Sequence, residues 1–221
     1  MSLMKSDELA DWFDHARQAL ETAYLAHTES WRQSGMSGPA ERWMSLRKPV
    51  ADCIDQSGTF LDIGCANGYL LECCLKWTAA RDIHIEPYGL DLSAKLVALA
   101  QQRLPQFAHH FFVGNAFYWI PPIKFDFVRT ELVYVPGDYE RQFIEFILEN
   151  YLRPDGKLLI AHYGEGSLHP EQGILPGSQP TTHLLERLAE LGFEDAPYQD
   201  GYNPIKHRKT RVAILRNEAR R

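Results

Sequence analysis

The chain has 221 residues, of which 45% are hydrophobic, 12% aromatic and 24% charged. That suffices for one domain with a full apolar core, and it excludes a disordered or collagen-like chain. A formal net charge of −6 weighs against a general nucleic-acid binder, whose usual footprint is a basic face.

No run nears the ~18–20 consecutive apolar residues of a membrane helix. The opening MSLMKSDELADWFDH is acidic where a signal peptide would be basic and then apolar. Four cysteines (Cys53, Cys65, Cys73, Cys74) lack C-x-x-C spacing and read as reduced thiols, so a cytoplasmic protein is expected. The nine histidines show no ligand spacing with them, and no metal site is expected. Between Lys206 and Arg221 seven basic residues face one acid, which reads as a solvated edge strand and tail.

In chain order, Asp7 to about Gln33 carries apolar residues at Leu9, Trp12, Phe13, Ala16, Leu20, Tyr24 and Leu25, the spacing of one helix face. Ser34 to Pro39 breaks it, and a second helix is predicted from Pro39 to Ile54. Short apolar strands then alternate with helices. Strands are predicted at 59–63, 85–91, 111–114, 125–129 and 157–161, with helices at 69–78, 93–104 and 138–152. Pro154-Asp155-Gly156 reads as the turn before the fifth strand. A loop from Gly164 to Pro180 holds four glycines and three prolines, a helix spans 182–191 with Gly192 as its stop, and a last strand covers 211–215.

This order predicts an α/β fold: a doubly wound, mostly parallel sheet, with late strands that add an antiparallel edge. Residues 1–55 are assigned to an N-terminal helical cap and 56–221 to the α/β core.

The most informative segment is Phe60-Leu61-Asp62-Ile63-Gly64-Cys65-Ala66-Asn67-Gly68-Tyr69, a buried strand that enters a glycine turn and then a helix. Small residues at 64, 66 and 68 let a ligand approach the backbone closely. A dinucleotide site wants G-x-G-x-x-G, whereas the spacing here is G-x-A-x-G. Asp62, two places earlier, would repel a pyrophosphate and suit a cationic ligand. A nicotinamide-dependent oxidoreductase is therefore a distant reading.

Asp-Ile-Gly-Cys-Ala-Asn-Gly resembles the first motif of the class I S-adenosylmethionine-dependent methyltransferases, with Ala66 in place of the middle glycine. Later positions fall in register with that family: Asp91 at the end of the second strand, Gly114-Asn115-Ala116-Phe117 after the third, and Phe125 to Tyr134 along and beyond the fourth. Leu152-Arg153-Pro154-Asp155-Gly156-Lys157 fits the family's stretch before the fifth strand, with Asp155 in place of Gly. The resemblance covers about residues 58–162.

It implies a Rossmann-like fold and S-adenosyl-L-methionine as cofactor, converted to S-adenosyl-L-homocysteine. Implied cofactor-binding residues are Asp62, Gly64, Cys65, Ala66, Asn67, Gly68, Tyr69, Asp91, Leu92, Asn115, Ala116, Phe117 and Thr130. Asp91 would accept the ribose hydroxyls, Leu92 would press on one adenine face, and Asn115 would accept from the adenine amino group. Phe117 would stack on the ring or join the core. His162, Glu131 and Tyr134 are the candidate catalytic groups, His162 by its intrinsic pKa and its strand-end position.

Tyr24, His27 and Trp31 of the cap, with Glu165 and His169 of the late loop, are candidates for covering the substrate. The expected reaction is in-line methyl transfer to a small-molecule acceptor, with no nucleic-acid or membrane partner. The alternative from another class is a non-catalytic module that binds the same cofactor and works through protein partners.

Overall fold

The computed structural model describes residues 6–35, 38–165, 183–203 and 208–217. Helix α1 (Ser6–Leu25) is followed by a 3-10 turn at Arg32–Ser34 and by α2 (Ala40–Asp52). The periodic stretch expected as one helix to Gln33 thus stops eight residues early. From Ala26 to Ser30 no large apolar side chain anchors the next turns, and the chain folds back through Gln33 Nε2, which donates to the His27 carbonyl at 2.7 Å.

Then come β1 (Gly58–Ile63), α3 (Tyr69–Ala79), β2 (Ile85–Asp91), α4 (Ala94–Arg103), β3 (Phe111–Val113) and β4 (Phe125–Thr130). The chain continues through α5 (Glu140–Asn150), β5 (Leu152–Glu165), α6 (Leu184–Glu190), β6 (Tyr198–Asn203) and β7 (Arg208–Arg216).

The seven strands form one sheet in the order β3-β2-β1-β4-β5-β7-β6. β1 pairs in parallel with β2 and β4, and the parallel ladder extends to β3 and β5. β7 runs antiparallel between β5 and β6, so the expected antiparallel edge is present. Chain order reverses direction at β1 and β4, and their carboxyl ends flank the switch point where open α/β sheets bind ligands.

Pro154, expected in a turn ahead of β5, lies within it. The register slips between Phe125 and Phe127, and Asp155 takes φ +63°, so the turn survives as a bulge in a longer strand. Gly164 and Glu165, expected in the loop, end β5. The rest of that loop, His169 included, and the basic residues Lys206, Arg220 and Arg221 lie outside the described residues. Glycine ends α6 as expected, with Gly192 left-handed at φ +87°.

Each face of the sheet carries a core. One gathers α1, α5 and α6 over Leu61, Val128, Leu158 and Ile160. The other gathers α2, α3 and α4 over Phe60, Phe127, Leu159 and Val212. Helix α2, assigned to the cap, is one of these covering helices, and its Pro49 packs on Gly201 of β6, where no side chain would fit. Among the described residues no helix is long and apolar enough to cross a membrane. The four cysteines are buried free thiols.

Candidate active site at the carboxyl edge of the sheet

Buried β1 delivers Asp62 to the sheet edge, and the turn beyond it uses left-handed backbone at Gly64 (φ +72°), Ala66 (φ +47°) and Gly68 (φ +74°). Gly64 has a second reason to be glycine. A Cβ there would stand 2.6 Å from Cζ of Tyr134, so the phenol ring lies on the turn. The next strand delivers Asp91. Its Oδ2 accepts from the Ala66 N–H at 2.9 Å and its Oδ1 from the Ser93 N–H at 2.8 Å. Each oxygen keeps a further lone pair.

β4 contributes a group that sequence reasoning passed over. Arg129, 2% exposed, donates through Nη1 to Asp62 Oδ1 (3.1 Å), the Ile63 carbonyl (3.2 Å) and the Tyr134 hydroxyl (2.9 Å). Through Nη2 it donates to Glu131 and, at 2.9 Å, to the Tyr163 hydroxyl. Tyr134 in turn donates to Glu131 Oε1 at 2.8 Å. Two of the three catalytic candidates, Glu131 and Tyr134, are therefore tied together around one guanidinium.

A second cation stands beside this network. Arg47 of α2, 6% exposed, stacks its guanidinium 3.4 Å from the centre of the Tyr163 ring. Its Nη1 is buried and has no partner among the described residues. The same holds for Asp62 Oδ2, Thr130 Oγ1 and His162 Nε2. Buried polar atoms are normally hydrogen-bonded, so orphans gathered at one sheet edge mark a place built for a polar ligand.

Burial dominates the electrostatics. It pushes Asp62 up to about 6 against the pull of Arg129, and Asp91 up to about 6 against its two N–H donors. Burial also raises the Tyr134 and Tyr163 phenols and lowers the His162 imidazole. The tyrosines thus keep their protons at neutral pH, and His162 is an uncharged imidazole.

The N-terminal segment is bonded to the loops that surround this edge. Glu21 of α1 accepts from Ser93 Oγ at 2.8 Å and from Lys95 at 3.0 Å. Asn67 Nδ2 donates to the Ser30 carbonyl and to Gln33 Oε1, and Arg103 links Asn67 to Ser30 Oγ. Tyr24 lies within electrostatic reach of Glu131, Arg47, Asp91 and Arg129. Trp31 turns away and donates to the Gly38 carbonyl.

Other predicted residues serve packing. The Tyr69 ring stacks on Trp43 at 4.6 Å, and Cys65 is buried against Gly89. Phe117, 9% exposed, joins Phe13, Tyr139 and Phe143 in the aromatic core, and the Ala116 carbonyl accepts from Tyr151. Asn115 caps its own turn by accepting from the Phe117 N–H, and Leu92 packs against the first core.

No family model matches the chain. A curated relative, trans-aconitate 2-methyltransferase of Rhodopseudomonas palustris (strain BisB18), is 27% identical over 165 residues, 74% of this chain. The chain spans about half (53%) of that relative's length. Among solved structures, the N-methyltransferase NodS of Bradyrhizobium japonicum WM9, in complex with S-adenosylhomocysteine, superposes with a TM-score of 0.65 at 18% identity. That match covers 93% of this chain and 100% of NodS. The [4+2]-cyclase SpnF superposes with a TM-score of 0.63 at 18% identity, over 92% of this chain and 95% of its own. The strand order, the glycine turn at the switch point and these neighbours agree: the chain has the fold of the class I S-adenosylmethionine-dependent methyltransferases, the family its sequence resembles.

Proposed function

We propose that the chain is an S-adenosylmethionine-dependent methyltransferase acting on a small-molecule acceptor. One observation carries this. A buried guanidinium without a counter-ion, Arg47, shares the sheet edge with two carboxylates, Asp62 and Asp91, that keep acceptor capacity. The cofactor's carboxylate, ammonium and ribose diol are the complementary set. Arg47 Nη1 would hold the carboxylate, Asp62 Oδ2 the ammonium, and Asp91 the ribose hydroxyls. The turn 64–68 would provide the close backbone approach, flanked by Thr130 and by the backbone around Asn115.

When bound, the cofactor supplies a methyl group already activated on a sulfonium. The protein's part is to hold, orient and exclude water, and orientation alone is worth roughly 7–11 kcal/mol in well-aligned bimolecular steps. Helix α1 and the segment to Ser34, tied to Asn67 and Ser93, serve as the cover. Glu131 already carries Arg129 and the Tyr134 hydroxyl, so it acts as an anchor rather than a free base. His162, neutral and with an unpartnered Nε2, is the group suited to take a proton from an acceptor that carries one.

The name of the curated relative, which acts on trans-aconitate, supports a small acceptor. The net charge of −6 supports the same over nucleic acid, and four buried free thiols support a cytoplasmic setting. Because a [4+2]-cyclase shares the fold, the decisive test is transfer rather than binding. The chain is incubated with methyl-labelled S-adenosylmethionine and a panel of small carboxylic acids, phenols and amines. Label in one class of product, with stoichiometric S-adenosylhomocysteine, is the expected result. Failure to bind either form of the cofactor in calorimetry would overturn the proposal.

A further inference from the structure

Tyr24 is placed where none of the roles above uses it. It comes from the last turn of α1, the element that crosses the sheet edge from outside the core. A Cβ on Gly35 would stand 2.7 Å from the Tyr24 hydroxyl and 3.7 Å from Arg47 Nη2, so phenol and guanidinium flank the same left-handed glycine. The hydroxyl makes no hydrogen bond among the described residues. The charged groups that act on it are Glu131 and Asp91 on the acidic side and Arg47 and Arg129 on the basic side.

Those neighbours order the proposed cofactor along its own bonds. Asp91 marks the ribose, Arg47 the carboxylate, and Glu131 the end beyond β4 where an acceptor would stand. The sulfonium is bonded to the ribose through one methylene and to the carboxylate through the amino-acid chain, so it lies between the first two markers. The phenol that senses all three groups stands over that junction.

Resting on the methyltransferase reading, we propose that Tyr24 is the residue by which the N-terminal helix contacts the sulfonium, its hydroxyl oxygen facing the cationic centre and its methyl group. A partly negative oxygen is attracted by the positive centre and by the polarised methyl hydrogens of the donor. The product has lost both. Tyr24 therefore favours the methyl donor over the demethylated product.

Calorimetric titration of the full chain with S-adenosylmethionine and with S-adenosylhomocysteine, for wild type and Tyr24→Phe, tests this. Loss of the oxygen should weaken the methyl donor by about three- to tenfold and leave the product unchanged, with the same thermal midpoint. An unchanged donor-to-product ratio overturns the assignment, and so does equal weakening of both ligands, which would mean a purely structural hydroxyl. Tyr24→Leu, which removes the ring as well, should weaken both ligands while preserving the loss of preference; a retained preference overturns the assignment. Wild type that binds neither ligand would instead bring down the underlying methyltransferase reading.

Discussion

Replacing Arg129 with methionine removes one buried cation and five hydrogen bonds, to Asp62, Ile63, Tyr134, Glu131 and Tyr163. The consequence differs for its two carboxylate partners. The Glu131 side chain is 19% exposed and can recruit water, whereas Asp62, at 1%, cannot. Removing one partner of a buried pair costs about 3–5 kcal/mol, mostly for the stranded charge. For a domain of this size that corresponds to a fall of ~6–20 °C in thermal midpoint. Urea unfolding monitored by circular dichroism measures the loss. Adding Asp62→Asn should then restore part of it, because the stranded charge is gone, giving a coupling energy of about 2–3 kcal/mol in the double-mutant cycle. A midpoint drop below ~2 °C for Arg129→Met, or strictly additive effects, would refute the view that the Asp62–Arg129 contact organises this edge.

Gly64→Ala should cost about 2 kcal/mol or more by urea unfolding, since φ is +72° and the new Cβ meets a Tyr134 ring held by Arg129 and Glu131. Ala66→Gly should stabilise by about 0.5 kcal/mol, because relief of a left-handed alanine outweighs the entropy that glycine adds to the unfolded chain. Asp91→Asn should weaken S-adenosylhomocysteine by about 30-fold in calorimetry. The pH dependence has two opposite signs. Asp91 titrates near 6 when folded, above its ordinary value, so the stability it contributes is present in acid and lost as pH rises through 6. Wild type should therefore gain stability relative to Asp91→Asn between pH 7 and pH 5. Its affinity for the methyl donor should fall over the same interval, because a protonated Asp91 and Asp62 no longer attract it.

The parallel half of the sheet was legible because its strands are buried on both faces and read as apolar runs, and because a glycine turn follows the first. β6 was not. Tyr198-Gln199-Asp200-Gly201-Tyr202-Asn203 is a polar edge strand without alternation, and pairing with β7 is what makes it a strand. Part of its stability comes from Arg211, which donates two hydrogen bonds to Asp200 across the pair. At the candidate site, Asp62 and Asp91 could be seen because they sit at fixed offsets from the turn. Arg129 could not be distinguished from any strand arginine, since its partners lie up to 67 residues away and meet it only after β1 and β4 pair. Arg47 and Tyr163 come from α2 and β5, and their stack exists only once α2 covers that face. One signal was present: an arginine in an otherwise apolar strand, next to the strand that carries Asp62, calls for a buried counter-ion.

The neighbours make clear that this architecture does not dictate a reaction, since a cyclase and an N-methyltransferase superpose on the chain about equally well. What favours transfer is the charge held at the edge. Asp62, Asp91 and Glu131 set three negative charges against the two positive charges of Arg47 and Arg129, leaving the group with one negative charge in a setting of low polarity. The methyl donor carries two positive charges and one negative, and the demethylated product carries one of each. Such an edge attracts the donor as a net cation and loses that attraction once the methyl has left, so the same charges that bind the donor promote release of the product. A module built to retain the cofactor would gain nothing from that difference, and a cyclase would have no use for it. If the two forms bind with equal affinity at pH 7, the charge balance has no catalytic meaning and the fold alone is left to support the assignment.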